Sequence, residues 1–67
     1  MRFLVLGAAG MAGHLISLYM REQGHDVTGF ARRDLPFLEF GVKGDVTDMT
    51  VLEPVVRDGY DVVVNCV

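Results

Sequence analysis

Three glycines at three-residue spacing, Gly7, Gly10 and Gly13, follow a short apolar run near the start of the sequence. The run is typical of a buried strand and the residues from Met11 onward have helical periodicity, so the glycines lie where a strand meets a helix. Glycine permits a tight turn at the first position, close approach of N–H groups to a diphosphate at the second, and helix-to-sheet contact at the third. The helix N-terminus adds the positive end of its dipole. We predict that Gly7, Gly10, Met11 and Gly13 bind a dinucleotide diphosphate; the alternative is a tight turn without a ligand.

Two arginines, Arg32 and Arg33, come directly after the second predicted strand. In dinucleotide-binding folds the residues at this point contact the ribose of the adenosine. A carboxylate there would repel a 2′-phosphate, whereas a guanidinium binds a phosphate with two hydrogen bonds. The pair therefore favours NADP as the cofactor, and the nearby carboxylate of Asp34 keeps NAD open. The alternative is a solvated pair of loop arginines.

Asp45 and Val46 follow a short third strand, at the sheet edge that faces the ligand crevice in a doubly wound fold. A carboxylate and its neighbouring N–H can accept from and donate to the edge of an adenine. Asp45 and Asp48 together lack the further oxygen ligands that a metal ion needs, so no metal site is predicted. Thr47 or Asp48 is expected to cap the helix that follows.

The elements that must position these residues alternate between strands and helices. The patterns predict strands over residues 2–6, 26–30, near 40–44 and 61–67, and helices over 11–23 and 47–57. The second helix begins after Asp48, or later with a capping box of Thr50 and Glu53, and Pro54 bends it if the start is early. The connection over 31–41 is too apolar for a bare loop. We expect one α/β domain built on an open parallel sheet, with strand order 3-2-1-4.

The first helix has two predicted faces. His14, Ser17 and Arg21 share one stripe, which we expect to be solvated. We expect the opposite side of the helix to pack against the sheet. It carries Met11, Ala12, Leu15, Ile16, Tyr19 and Met20.

Composition limits the class of protein. The 67 residues are 51% hydrophobic and carry a formal charge of −3, which excludes disorder and argues against a nucleic-acid partner. The single cysteine, Cys66, cannot form an internal disulfide. Residues 3–20 contain no Asp, Glu, Lys or Arg, but three glycines and His14 interrupt them, so a membrane span or a secretory signal over residues 1–20 is the weaker reading. We expect a cytoplasmic protein that does not enter a membrane.

Three segments carry a family resemblance: the glycine motif, the run from Gly44 to Asp48, and the run from Asp61 to Val67. Together they resemble the N-terminal part of an extended short-chain dehydrogenase/reductase, with a Rossmann-like fold, and are most similar to sugar-nucleotide reductases of the dTDP-4-dehydrorhamnose reductase type. The resemblance implies that the glycines hold the cofactor diphosphate, Arg32 lies near the adenosine ribose, and Asp45 and Val46 lie near the adenine. It implies that Asn65, Cys66 and Val67 line the cofactor beyond the fourth strand. Ala31 stands where many rhamnose-branch members carry Asp.

The catalytic Tyr-x-x-x-Lys of that family is missing, because neither Tyr19 nor Tyr60 has a lysine four residues later. Tyr60 is expected to be a packing residue and Cys66 a buried strand cysteine. We therefore expect an N-terminal cofactor-binding portion, inactive alone, of an NAD(P)-dependent oxidoreductase for a nucleotide-linked keto-sugar, compatible with a homodimer. The alternative is a non-catalytic, reductase-like NADP sensor.

Overall fold

Four parallel strands and two helices make up the fold. The computed structural model describes residues 1–38 and 40–67. In chain order the elements are β1 (Arg2–Leu6), α1 (Met11–Glu22), β2 (Asp26–Ala31), β3 (Phe40–Lys43), α2 (Met49–Val56) and β4 (Val62–Asn65). The predicted α/β class is confirmed, and β4 is shorter than predicted at both ends.

The sheet has the order β3-β2-β1-β4, as predicted, with all neighbours parallel. In the register, Leu4 of β1 lies opposite Thr28 of β2 on one side and Val63 of β4 on the other. β1 is central because its residues are apolar on both faces, and Phe3, Leu4 and Val5 are all buried. The carboxyl ends of β1 and β2 therefore lie side by side, with the glycine-rich turn above them.

The main core lies between the sheet and α1. It is formed by the buried side chains Phe3, Val5, Ala8, Val27, Ala31, Leu35 and Leu38, with Ile16 and Met20 of α1 packed against them. Burial of Leu35 and Leu38 confirms that the connection after β2 is more than a bare loop. One residue of that predicted connection, Glu39, lies outside the described part of the chain.

The predicted faces of α1 are wrong in part. Ser17, expected in solvent, is fully buried, and its hydroxyl donates to the carbonyl oxygen of Gly13 at 2.7 Å. Met11, Leu15 and Tyr19, expected on the sheet, are 85%, 62% and 57% exposed. The physical reason is size: the small residues Gly13 and Ser17, one turn apart, are the buried ones. The helix is therefore rotated so that Met11, Leu15 and Tyr19 face outward, while Ile16 and Met20 still pack against the core.

His14 also departs from its predicted solvated position. It is half-buried, and its ring stacks on that of Phe37 with the centroids 4.1 Å apart and the planes 15° apart. Arg21, on the same stripe, remains exposed and donates to the carbonyl oxygen of Phe37 at 2.6 Å. Two residues of α1 thus hold the connection between β2 and β3.

The second helix approaches the sheet through Val51, whose side chain lies next to Gly44, as does the ring of Phe30. Asp48 is its N-cap and accepts from the N–H of Thr50 at 3.1 Å and from the Thr50 hydroxyl at 2.6 Å. The earlier start is therefore the correct one, and α2 contains Pro54 and no buried residue. Within the described residues, neither helix is long and apolar enough to cross a membrane.

Candidate functional site

The glycine-rich turn contains two glycines that the fold itself requires. Gly7 has φ +76°, and a Cβ placed on it would lie 2.9 Å from the carbonyl oxygen of Cys66. A Cβ on Gly13 would lie 2.8 Å from the Cα of Ala8 and closer still to the carbonyl oxygen of Gly7. Such contacts are shorter than real Cβ atoms make, so a side chain at either position would displace backbone.

Gly10 differs from the other two glycines. Its φ is −74°, which any residue can adopt, and a Cβ on it would meet only the carbonyl oxygen of Gly7, at an ordinary 3.5 Å. Gly10 is exposed and lines the crevice beside the turn. Packing within the protein therefore does not explain why this position lacks a side chain, whereas the close approach of a ligand would.

The start of α1 presents N–H groups beside Gly10. The first helical hydrogen bond runs from the His14 N–H to the carbonyl oxygen of Gly10 at 2.8 Å, so the amides of Met11, Ala12 and Gly13 precede it. Among the described residues, no side chain caps this end of the helix. The turn is tied to β2, since the N–H groups of Gly7 and Ala8 both donate to the carbonyl oxygen of Phe30. The arrangement suits an anion.

A crevice of about 610 Å³ opens at the carboxyl ends of the strands. Eight of the eleven predicted site residues line it: Gly7, Gly10, Arg32, Arg33, Asp45, Val46, Cys66 and Val67. Ala9, Phe30, Ala31, Gly44 and Thr47 line it as well and were not predicted. Their positions in the sequence could have indicated them, because each lies within one or two residues of a predicted site residue.

Three predicted residues do not line the crevice. Gly13 is buried beneath the turn, and Met11 lies exposed at the first position of α1. Asn65 ends β4, and its side-chain oxygen accepts from the N–H of Val67 at 3.1 Å. Asn65 thereby shapes the segment that carries Val67 to the crevice.

The two arginines have different surroundings. Arg33 donates from Nη2 to the carbonyl oxygen of Ala9, in the glycine-rich turn, at 3.2 Å. Arg32 is exposed, lines the crevice, and acts electrostatically on Asp45. Asp34, the carboxylate that kept NAD open, lines a separate pocket of about 220 Å³ next to Lys43.

Asp45 is held by Thr47, two residues along. The Thr47 N–H and hydroxyl both donate to Oδ1 of Asp45, at 2.9 and 2.8 Å. These bonds, first the backbone one and then the hydroxyl, lower the pKa of Asp45; partial burial opposes them, and the positive charge of Arg32 adds to them. The crevice therefore carries an ionised, oriented carboxylate at neutral pH.

The remaining reactive side chains are not assembled into a catalytic group. Cys66 is half-buried and follows β4, rather than lying buried within it. The Arg2 guanidinium lies 4.7 Å from the ring centre of Tyr60, at the other end of the sheet, so Tyr60 is a packing residue as predicted. Tyr19 is exposed on α1. In the described part of the chain, no cluster of three His, Cys, Asp or Glu residues could hold a metal ion.

Comparison with known proteins gives one family. The model of the NAD dependent epimerase/dehydratase family matches residues 3–67. Uncharacterized proteins of Mycobacterium bovis and of two strains of Mycobacterium tuberculosis are 35% identical to the chain over 69 residues, covering 98% of it. The chain spans only 8% of the length of these relatives. No solved structure gives a significant match.

Proposed function

Because the chain belongs to the NAD-dependent epimerase/dehydratase family, we propose that it binds a nicotinamide dinucleotide in the crevice at the carboxyl ends of its strands. The diphosphate would lie on the glycine-rich turn and the start of α1. The adenosine would extend toward Arg32 and Asp45, and the nicotinamide toward Cys66 and Val67. When bound, such a cofactor supplies hydride chemistry, and the residues of this chain bind and orient it.

The observation that carries the proposal is the position of Gly10. Gly7 and Gly13 are needed for the turn whether or not a ligand binds, so they do not distinguish a cofactor site from a tight turn. Gly10 is not needed by the protein, yet it lines the crevice next to the first amides of α1. A side chain there would occupy space that a diphosphate needs in order to reach those amides.

We propose NADP as the preferred form. Two guanidinium groups, Arg32 and Arg33, line the crevice, whereas Asp34 lies in the neighbouring pocket. The one carboxylate among the crevice residues, Asp45, follows β3 and is oriented by Thr47, which supports a position at the adenine rather than at the ribose. A 2′-phosphate near Arg32 would then meet a guanidinium group that can bind it with two hydrogen bonds.

For the intact protein we propose reduction of a nucleotide-linked keto-sugar, of the dTDP-4-dehydrorhamnose reductase type, in a cytoplasmic enzyme compatible with a homodimer. The support is the run of residues that resembles this branch. The crevice itself would bind the cofactor and does not indicate which sugar the enzyme uses. Tyr19 and Tyr60 are both outside the crevice lining, so a proton donor for the carbonyl would come from beyond these 67 residues. A non-catalytic NADP sensor is the second candidate, and a longer protein without a downstream Tyr-x-x-x-Lys would favour it.

The test compares two glycine substitutions by calorimetric titration with NADP and NAD. Gly10→Ala should fold normally and bind either nucleotide at least tenfold more weakly, because the methyl group would face the proposed position of the diphosphate. Gly41→Ala is the matched control: its Cβ would lie at an ordinary 3.7 Å from Leu35, outside the crevice, so binding should be unchanged. Binding by Gly10→Ala at the wild-type affinity would contradict the proposal.

A second measurement separates the enzyme from the sensor. The intact protein is mixed with NADPH and a dTDP-linked 4-keto-sugar, and the fall in absorbance of the reduced nicotinamide is followed. Turnover with that substrate supports the reductase. Binding of NADPH without turnover of this substrate or related keto-sugars supports the sensor.

A further inference from the structure

We propose that the two adjacent arginines have separate tasks: Arg33 is a positioning residue that latches the glycine-rich turn, and Arg32 alone discriminates between the nucleotides. The first part concerns the free protein. The second part rests on the proposed function, because it concerns the affinity for NADP and NAD.

The latch acts on a single peptide group, the one that joins Ala9 to Gly10. Its carbonyl oxygen, on Ala9, accepts from Nη2 of Arg33 at 3.2 Å. Its N–H, on Gly10, donates to the carbonyl oxygen of Gly7 at 3.1 Å. The peptide plane is therefore held at both ends. The bond from Arg33 matters here, because a carbonyl oxygen free to turn toward a diphosphate would repel it.

Arg33 is carried by an anchored segment. Leu35 and Leu38, shortly after it, are buried in the core. Phe37 is fixed to α1 by the stacked ring of His14 and by the hydrogen bond from Arg21. The guanidinium of Arg33 is thus delivered to Ala9 from a fixed base, which lowers the entropy cost of the latch.

Arg32 has no comparable tie to the turn among the described contacts. It points its charge into the part of the crevice that also contains Asp45, which the arginine influences electrostatically. A cation so placed adds attraction for the extra phosphate of NADP and does little for the diphosphate that both nucleotides share.

The experiment has an arm without nucleotide and an arm with it. In the free protein, Arg33→Ala should accelerate hydrogen exchange of the Gly10 amide severalfold, as measured by NMR, while Arg32→Ala leaves it unchanged. In titrations, Arg33→Ala should weaken NADP and NAD binding equally, by about fivefold, the scale of one hydrogen bond. Arg32→Ala should weaken NADP alone. Arg33→Lys should restore most of the affinity, since an ammonium still donates to a carbonyl.

The outcomes separate the two proposals. Unchanged exchange at Gly10 in Arg33→Ala overturns the latch, whatever the nucleotide affinities are. A selective loss of NADP in Arg33→Ala overturns the division of tasks, because Arg33 would then be a ligand of the 2′-phosphate. Failure of the wild-type protein to bind either nucleotide overturns the proposed function, while faster exchange in Arg33→Ala would still support the latch.

Discussion

The backbone of Cys66 lies so close to Gly7 that it leaves no room for a side chain there. A Cβ on Gly7 would lie 2.9 Å from the Cys66 carbonyl oxygen. The two residues follow neighbouring strands, β1 and β4, and the Cys66 N–H donates to the carbonyl oxygen of Leu6 at 2.9 Å. The chain that leaves β4 is therefore held directly against the start of the glycine-rich turn.

Substitution Gly7→Ala should destabilise the fold by about 2 kcal/mol or more, because the left-handed backbone and the contact with Cys66 are both unfavourable to a methyl group. Urea unfolding followed by circular dichroism measures the change. The matched control is Gly41→Ala, which should cost less than about 1 kcal/mol, since its Cβ meets no short contact. Equal stability of the two variants would contradict the geometry of the turn.

From the observed orientation of α1, we expect an apolar substitution at Ser17 to destabilise the protein more than a polar substitution at Leu15. Ser17→Leu should lower the free energy of unfolding by about 2 kcal/mol, because a large side chain would be forced into a closely packed position against the sheet. Leu15→Ser, which makes the opposite change on the exposed side, should change it by less than about 0.5 kcal/mol. Thermal or urea denaturation of both variants is the measurement. A larger loss for Leu15→Ser would restore the orientation expected from the apolar pattern.

Nucleotide preference should invert at Arg32. In Arg32→Asp the carboxylate would repel a 2′-phosphate and offer an acceptor to a 2′-hydroxyl, so NADP affinity should fall at least tenfold more than NAD affinity. Dissociation constants for both nucleotides, measured at one ionic strength, give the ratio. Equal losses for the two nucleotides would refute the role assigned to Arg32.

The stability of the protein should depend on Asp45 in acid. Because the pKa of Asp45 is lower in the folded state than in the unfolded chain, the ionised carboxylate stabilises the fold above about pH 4, and this contribution is lost as the pH falls through the folded value. The melting temperatures of wild type and Asp45→Asn should therefore converge as the pH falls below about 4 and through the lowered pKa of Asp45.

Thr47→Val provides the control for that measurement. It removes the hydroxyl donor to Asp45 and keeps the backbone one, so the acid dependence should become shallower without vanishing. A difference between wild type and Asp45→Asn that stays constant over this pH range would contradict the assignment.

Strand order and the site of the turn could be predicted because they depend on local signals: apolar strands, glycine spacing and alternation of elements. The face of α1 could be predicted only in part. Ile16 and Met20 pack against the core as expected, but the apolar pattern also included Met11, Leu15 and Tyr19, which are exposed, and it missed the buried Ser17. The orientation of α1 depends on how closely the helix can pack at its small residues, and the hydrophobic pattern alone does not give that information.

Contacts between segments distant in sequence were also beyond prediction. The stack of His14 on Phe37 and the hydrogen bond of Arg33 to Ala9 each join α1 or its turn to the connection after β2. Both depend on where the connection crosses the helix. From the residue types alone, a solvated position was as reasonable for His14 and for the two arginines as these contacts.

The second helix is short, contains Pro54 and has partly buried side chains but no fully buried one, while the glycine-rich turn is backed by the main core. Local opening costs least where few apolar groups are packed. We therefore expect the side of the crevice next to α2 to open locally at a lower free-energy cost than the side formed by the turn. Entry and release of a nucleotide would then depend mainly on the α2 side.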